Sequence, residues 1–99
     1  MTIIVVTATK PSTSVEFYQD IDVMNHVLNE YVLPSKLVAT TRTSDDGLTT
    51  NTTLKFSTIE DYEEFRNDPV IKNFGMAKQL HNTKNNIVSH SVGPNEQNS

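Results

Sequence analysis

Three histidines, a strand arginine and three tyrosines are the side chains of this chain best suited to chemistry. Imidazole changes charge near neutral pH and ligates metals. His26 has Asp22 four residues before it and Glu30 four after, a spacing that puts all three on one helix face, where a divalent cation could bind. That face lies opposite the helix's apolar stripe, where a ladder of charges reads as solvated surface, so no metal site is expected and His26→Ala should be nearly neutral. His90 alternates with Val88 and Val92, which puts an imidazole on the same strand face as two apolar side chains. A hydrogen-bonded histidine filling space accounts for that pattern, and so does a role in a pocket or an interface. His81 follows Leu80 late in a helix, where it either caps the C-terminus or points into a cavity between helices and sheet. Arg42 is in register with Val38 and Thr40, placed to grip a carboxylate with two hydrogen bonds or to lie in water at a sheet edge. Tyr18, Tyr31 and Tyr62 fall on or beside helix stripes, where core packing is the ordinary use, and Tyr62 would also wall a cavity. Tyr62, His81, His90 and Arg42 are therefore the candidate ligand-binding residues, and no catalytic residue is assigned.

Other chemistries lack their residues. There is no cysteine, which removes disulfides, thiolate catalysis and thiolate metal sites together. No serine sits in a Gly-x-Ser-x-Gly elbow, and three glycines in 99 residues form no phosphate-cradling loop. The acidic pairs Asp45-Asp46 and Glu63-Glu64 suit turn and helix surface. The net charge is −4 with a pI near 5.2, and the eight Lys and Arg are scattered, which argues against nucleic acid as a partner. No apolar stretch approaches the length that spans a bilayer, and the start lacks the basic region of a signal peptide, so no membrane partner is expected and the expected location is cytoplasmic.

The elements that must position these residues follow from periodicity. Thr2 to Lys10 reads as a strand rich in Ile, Val and Thr, with Ile3, Ile4, Val5 and Val6 apolar on both of its faces. A strand apolar on both sides needs cover on both sides. From Val15 to Tyr31 the residues Phe17, Ile21, Met24, Leu28 and Tyr31 recur at helical steps, with Ser12 to Ser14 as candidate caps and Pro34 as the stop. Strands over Leu37 to Thr43 and Leu48 to Phe56 flank the turn Ser44-Asp45-Asp46-Gly47. A second helix opens on a Ser57-to-Glu60 capping box, carries Ile59, Tyr62 and Phe65, and restarts at Asn67-Asp68-Pro69 with Val70, Phe74, Ala77 and Leu80 as its stripe. A turn at Lys84-Asn85-Asn86 leads to a strand over Ile87 to Val92, so residues 1–92 form one domain and 93–99 a disordered tail.

The order strand, helix, strand, strand, helix, strand is the α+β, ferredoxin-like βαββαβ arrangement, an antiparallel sheet with two helices on one face. With its interrupted second helix, its length and its two-faced first strand, the chain resembles the dimeric α+β barrel superfamily, which includes the antibiotic-biosynthesis-monooxygenase-like domains. The resemblance implies a homodimer packed sheet to sheet, with a cavity between the sheet and helices of each copy. Haem-degrading and quinone-forming members tend to place a Trp on the second helical region, an Asn on the first strand and a His or Arg nearby, for which His81 is the only partial match in this chain. Here there is no Trp, and the first strand offers Thr7 and Thr9.

The reading is a small homodimeric ligand-binding or accessory protein, with itself and a small molecule as partners and no cofactor implied. The alternatives are a cofactor-independent monooxygenase-like enzyme using the sheet–helix cavity, and a structural interaction module.

Overall fold

The computed structural model describes residues 1–93. The expected tail therefore lies outside the described residues except for Gly93. Strand β1 spans Thr2–Thr9, and helix α1, Ile21–Val27, runs on into a π-helical turn, Leu28–Val32. Strands β2, Leu37–Thr43, and β3, Thr49–Phe56, form a hairpin. Helices α2, Ile59–Asn67, and α3, Pro69–Lys84, precede strand β4, Val88–Val92. All neighbours pair antiparallel in the order β2-β3-β1-β4, which makes this a ferredoxin-like α+β fold.

Turn chemistry joins these elements as the sequence dictates. Gly47 takes φ 75° and its N–H donates to the Ser44 carbonyl, while Asp46 accepts from Ser44 Oγ and from the Leu48 N–H. Asn86 takes φ 59° before β4, a conformation asparagine tolerates better than most residues.

Strand alternation divides the sheet into two faces. Ile4 pairs with Leu54 and Thr2 with Phe56, and the buried members of this set, with Leu37, meet Tyr31, Tyr62 and Phe65 from the helices. Phe56 and Leu37 are fully buried, and Phe56 stacks at 5.5 Å on Tyr62 and 5.1 Å on Phe65. The core is thin: Ile4, Ala8, Tyr31, Leu37, Phe56 and Ile87 are its buried apolar residues. The other face carries Ile3, Val5, Val38, Val88 and Val92, of which Val38 and Val88 are exposed. The first strand is thus two-faced as expected, and no helix covers its outer side.

The first helix differs from the sequence expectation. It begins at Ile21 and not at Val15, because Asp20, extended at φ −139°, caps it by accepting from the Asp22 and Val23 N–H groups. Val15 and Phe17 lie in the preceding loop, where Lys10 sits 4.9 Å over the Phe17 ring. The phase shifts accordingly: Val23, Val27 and Tyr31 pack inward, while Ile21, Met24 and Leu28 are exposed. In α2 the cap is Thr58, accepting from the Asp61 N–H at 3.1 Å, and Ser57 instead donates to the Ser35 carbonyl. Asp68 ends α2 and caps α3, with Pro69 at the first helical position.

Candidate functional site

A cleft of about 1130 Å³ opens between the sheet and the helices. Ile4, Val6, Leu54 and Phe56 from the inner sheet face form its floor. Ile21, Met24 and Leu28 of α1 and its π-turn stand on one side, and Tyr62, Phe65 and Phe74 on the other. An apolar hollow with a few polar groups has the make-up of a small-molecule site. The exposure of Ile21, Met24 and Leu28 has its reason here, since all three line this opening.

Its polar groups come largely from one face of α3. Ile71, Phe74, Lys78 and Asn82 recur at three- and four-residue steps, and all four line the cleft. The expected stripe of Val70, Phe74, Ala77 and Leu80 is therefore rotated: Val70 and Leu80 are exposed, and Leu80 is 73% accessible. Among the described residues, the Lys78 ammonium has no hydrogen-bond or ion-pair partner, and Asn82, only 7% exposed, carries no side-chain atom that is both buried and unsatisfied. Burial pushes the Lys78 amine below its usual value. The charged residues on the cleft wall are all basic: Arg66, Lys72 and Lys78.

A second cluster ties the helices together. Asp68 Oδ2 accepts from His26 Nε2 at 2.7 Å and from the Tyr31 hydroxyl at 2.7 Å, while Oδ1 takes the Val70 N–H. Burial alone would raise the Asp68 carboxyl, but the three hydrogen bonds and the His26 charge outweigh it and hold the carboxyl below the ordinary range. Burial and the hydrogen bond to Asp68 push the Tyr31 phenol far above 10.0. His26 is consequently no surface ladder residue. Its partner lies forty-two positions away and not at Asp22 or Glu30. Among the described residues, no group of three or more His, Cys, Asp or Glu side chains is placed to hold a metal ion.

The four candidate residues fall in three places. Tyr62 is on the cleft wall. His81 lies in a separate hollow of about 530 Å³, with Lys10, Glu16 and Phe17. Its Nε2 donates to the Glu16 carbonyl at 2.8 Å, and Tyr18 lies 5.5 Å from its ring. His90 pairs with Thr7 and Arg42 with Asn51, so both stand exposed on the outer sheet face, away from the helices. The expectation that His81 or His90 would join Tyr62 on the cavity wall is corrected by strand parity and by the helix phase. Lys78 and Asn82 escaped sequence reasoning because a lysine and an asparagine do not extend an apolar stripe. Their place in the three- and four-residue steps that run on from Ile71 and Phe74 was the available signal.

No protein-family model matches the chain, and no curated protein matches it. Among solved structures, the chain is similar to Rv0793 from Mycobacterium tuberculosis, with 13% sequence identity, a TM-score of 0.54 and 95% of each chain covered. At that identity the likeness concerns the fold. Among the described residues, no helix is long and apolar enough to cross a membrane.

Proposed function

We propose that this chain is a small ligand-binding protein that works as a homodimer of the α+β barrel type and holds an apolar small molecule between its sheet and helices. The observation that carries the reading is the cleft of about 1130 Å³, floored by apolar side chains between the sheet and the helices. The test is titration of the full chain with 1-octanol under amide NMR. Shifts confined to Leu54, Tyr62, Phe74 and their neighbours are expected, and shifts that are absent or spread over the surface sink the reading. No observation favours the monooxygenase-like alternative, because His81, His90 and Arg42 stand away from the cleft.

The dimer rests on the outer sheet face. Ile3, Val5 and Val92 form an apolar patch there, with Val38 beyond Lys55 on one side and Val88 beyond Thr7 and His90 on the other. A second copy of the same face covers it in a self-complementary way. Light scattering after gel filtration should give about twice the 11.1 kDa chain mass, and a monomer at micromolar concentration refutes the assembly.

A further inference from the structure

We propose that the cleft takes an apolar carboxylic acid, with the carboxylate held by Lys78 and Asn82 and the apolar body laid over the sheet floor. The inference rests on the ligand-binding reading above and adds the head group. Three observations converge on it.

The first is the placement of two polar side chains. Lys78, half-buried, lines the cleft with no hydrogen-bond or ion-pair partner among the described residues. Asn82, one helical turn later on the same face and 7% exposed, lines it as well. An ammonium and an amide N–H side by side are the donors a carboxylate accepts from.

The second is the sign of the charge. The chain carries twelve Asp and Glu against eight Lys and Arg, but among the described residues no acidic side chain stands on the cleft wall, where Arg66, Lys72 and Lys78 do. A low-dielectric hollow lined by one sign of charge concentrates ligands of the other sign. The anion that fits is on an amphiphile, because the sheet floor of Ile4, Val6, Leu54 and Phe56 and the flanking Ile21, Met24, Leu28, Phe65 and Phe74 are apolar.

The third is the state of Lys78 without a ligand. Its amine is held below the usual value by burial, with no counter-charge to offset the loss of water. A carboxylate brought into the cleft supplies that counter-charge and raises the amine again. Binding is thereby coupled to the lysine's protonation.

The experiment compares octanoate with 1-octanol, equal in chain length and different in head group, by calorimetry on the full chain near neutral pH. Octanoate should bind roughly tenfold more tightly than 1-octanol. In Lys78→Met that preference should fall to within about twofold while 1-octanol affinity is kept, and Lys78→Arg should retain most of it. If Lys78→Met does not fold, the wild-type chain still decides: octanoate and not 1-octanol should shift the NMR signal of the Lys78 ε-methylene. Octanol binding without an octanoate preference overturns the head-group inference and leaves the ligand-binding reading standing. A preference that survives Lys78→Met, or an unmoved Lys78 signal, overturns the role of this lysine. Binding of neither probe removes both.

Discussion

His26 Nε2 lies 2.7 Å from Asp68 Oδ2, joining the first helix to the corner where α2 gives way to α3. The same carboxylate takes the Tyr31 hydroxyl and caps α3, so one side chain closes three elements at once. With both partners half to mostly buried, this is a charge-assisted contact and not a surface pair.

His26→Ala should therefore destabilise the fold by about 1 to 2 kcal/mol, the size of a hydrogen bond to a charged group. Asp68→Ala removes the same bond together with the Tyr31 contact and the α3 cap, and should cost about 2 to 4 kcal/mol. Urea denaturation of both variants checks this. A neutral His26→Ala would return the residue to the role of solvated surface.

The acid limb of stability should depend on Asp68. Its folded carboxyl titrates below the ordinary value of 3.8, so its contribution is present above that pH and is lost as pH falls through the lower folded value. Tyr31 has the opposite sign. Its raised phenol contributes stability that is present below pH 10.0 and is lost above it, as the unfolded chain ionises first. The stability gap between wild type and Asp68→Asn should narrow on acidification, and that between wild type and Tyr31→Phe should narrow above pH 10.0. Parallel pH profiles for wild type and variants would contradict the cluster.

Truncating the two phenylalanines should separate core from cleft. Phe56 is fully buried, and Phe56→Ala should cost about 3 to 5 kcal/mol. Phe74 is half-buried, lines the cleft and touches Tyr18 at 5.5 Å, so Phe74→Ala should cost less, about 1 to 3 kcal/mol. Equal losses in guanidinium unfolding would place Phe74 in the core.

Lys78→Met should raise the melting temperature of the ligand-free chain. The ammonium is half-buried and without a counter-charge, while methionine keeps the apolar stem and removes the charge. The wild-type amine titrates below 10.5, so its penalty fades as pH rises and the gap to Lys78→Met should close on the alkaline side. A lower melting temperature for the variant would show that the lysine has a stabilising partner.

Strand order, hairpin and the Asp68-Pro69 restart were legible because each rests on local chemistry: alternating β-branched residues, a glycine at positive φ, a cap followed by proline. Helix phase was not. Phe17, Ile21, Met24 and Leu28 keep a helical step, but Asp20 offers a cap in the middle of that run, and periodicity cannot choose between Ser14 and Asp20. In α3 two overlapping stripes, one through Leu80 and one through Lys78, share Phe74, and the ends of the apolar one, Val70 and Leu80, are left in solvent. The His26–Asp68 pair spans forty-two positions and leaves no periodic trace. Tyr62 was found because aromatic residues on a helix stripe point inward whether they fill a core or wall a cleft.

The thinness of the core has a consequence for how this chain responds to its surroundings. Ile4, Tyr31, Leu37 and Phe56 form one small cluster, and the cleft begins at Ile4 and Phe56 themselves. An occupant of the cleft rests directly on the residues whose burial holds the chain folded. Native state and occupied state are then linked by mass action: a ligand at a hundred times its dissociation constant adds about 2.7 kcal/mol, a sizeable share of the stability of a domain this small. On the proposed ligand-binding reading, unfolding temperature would be a gauge of saturation, and the concentration of ligand a setting for how long each copy of the chain survives.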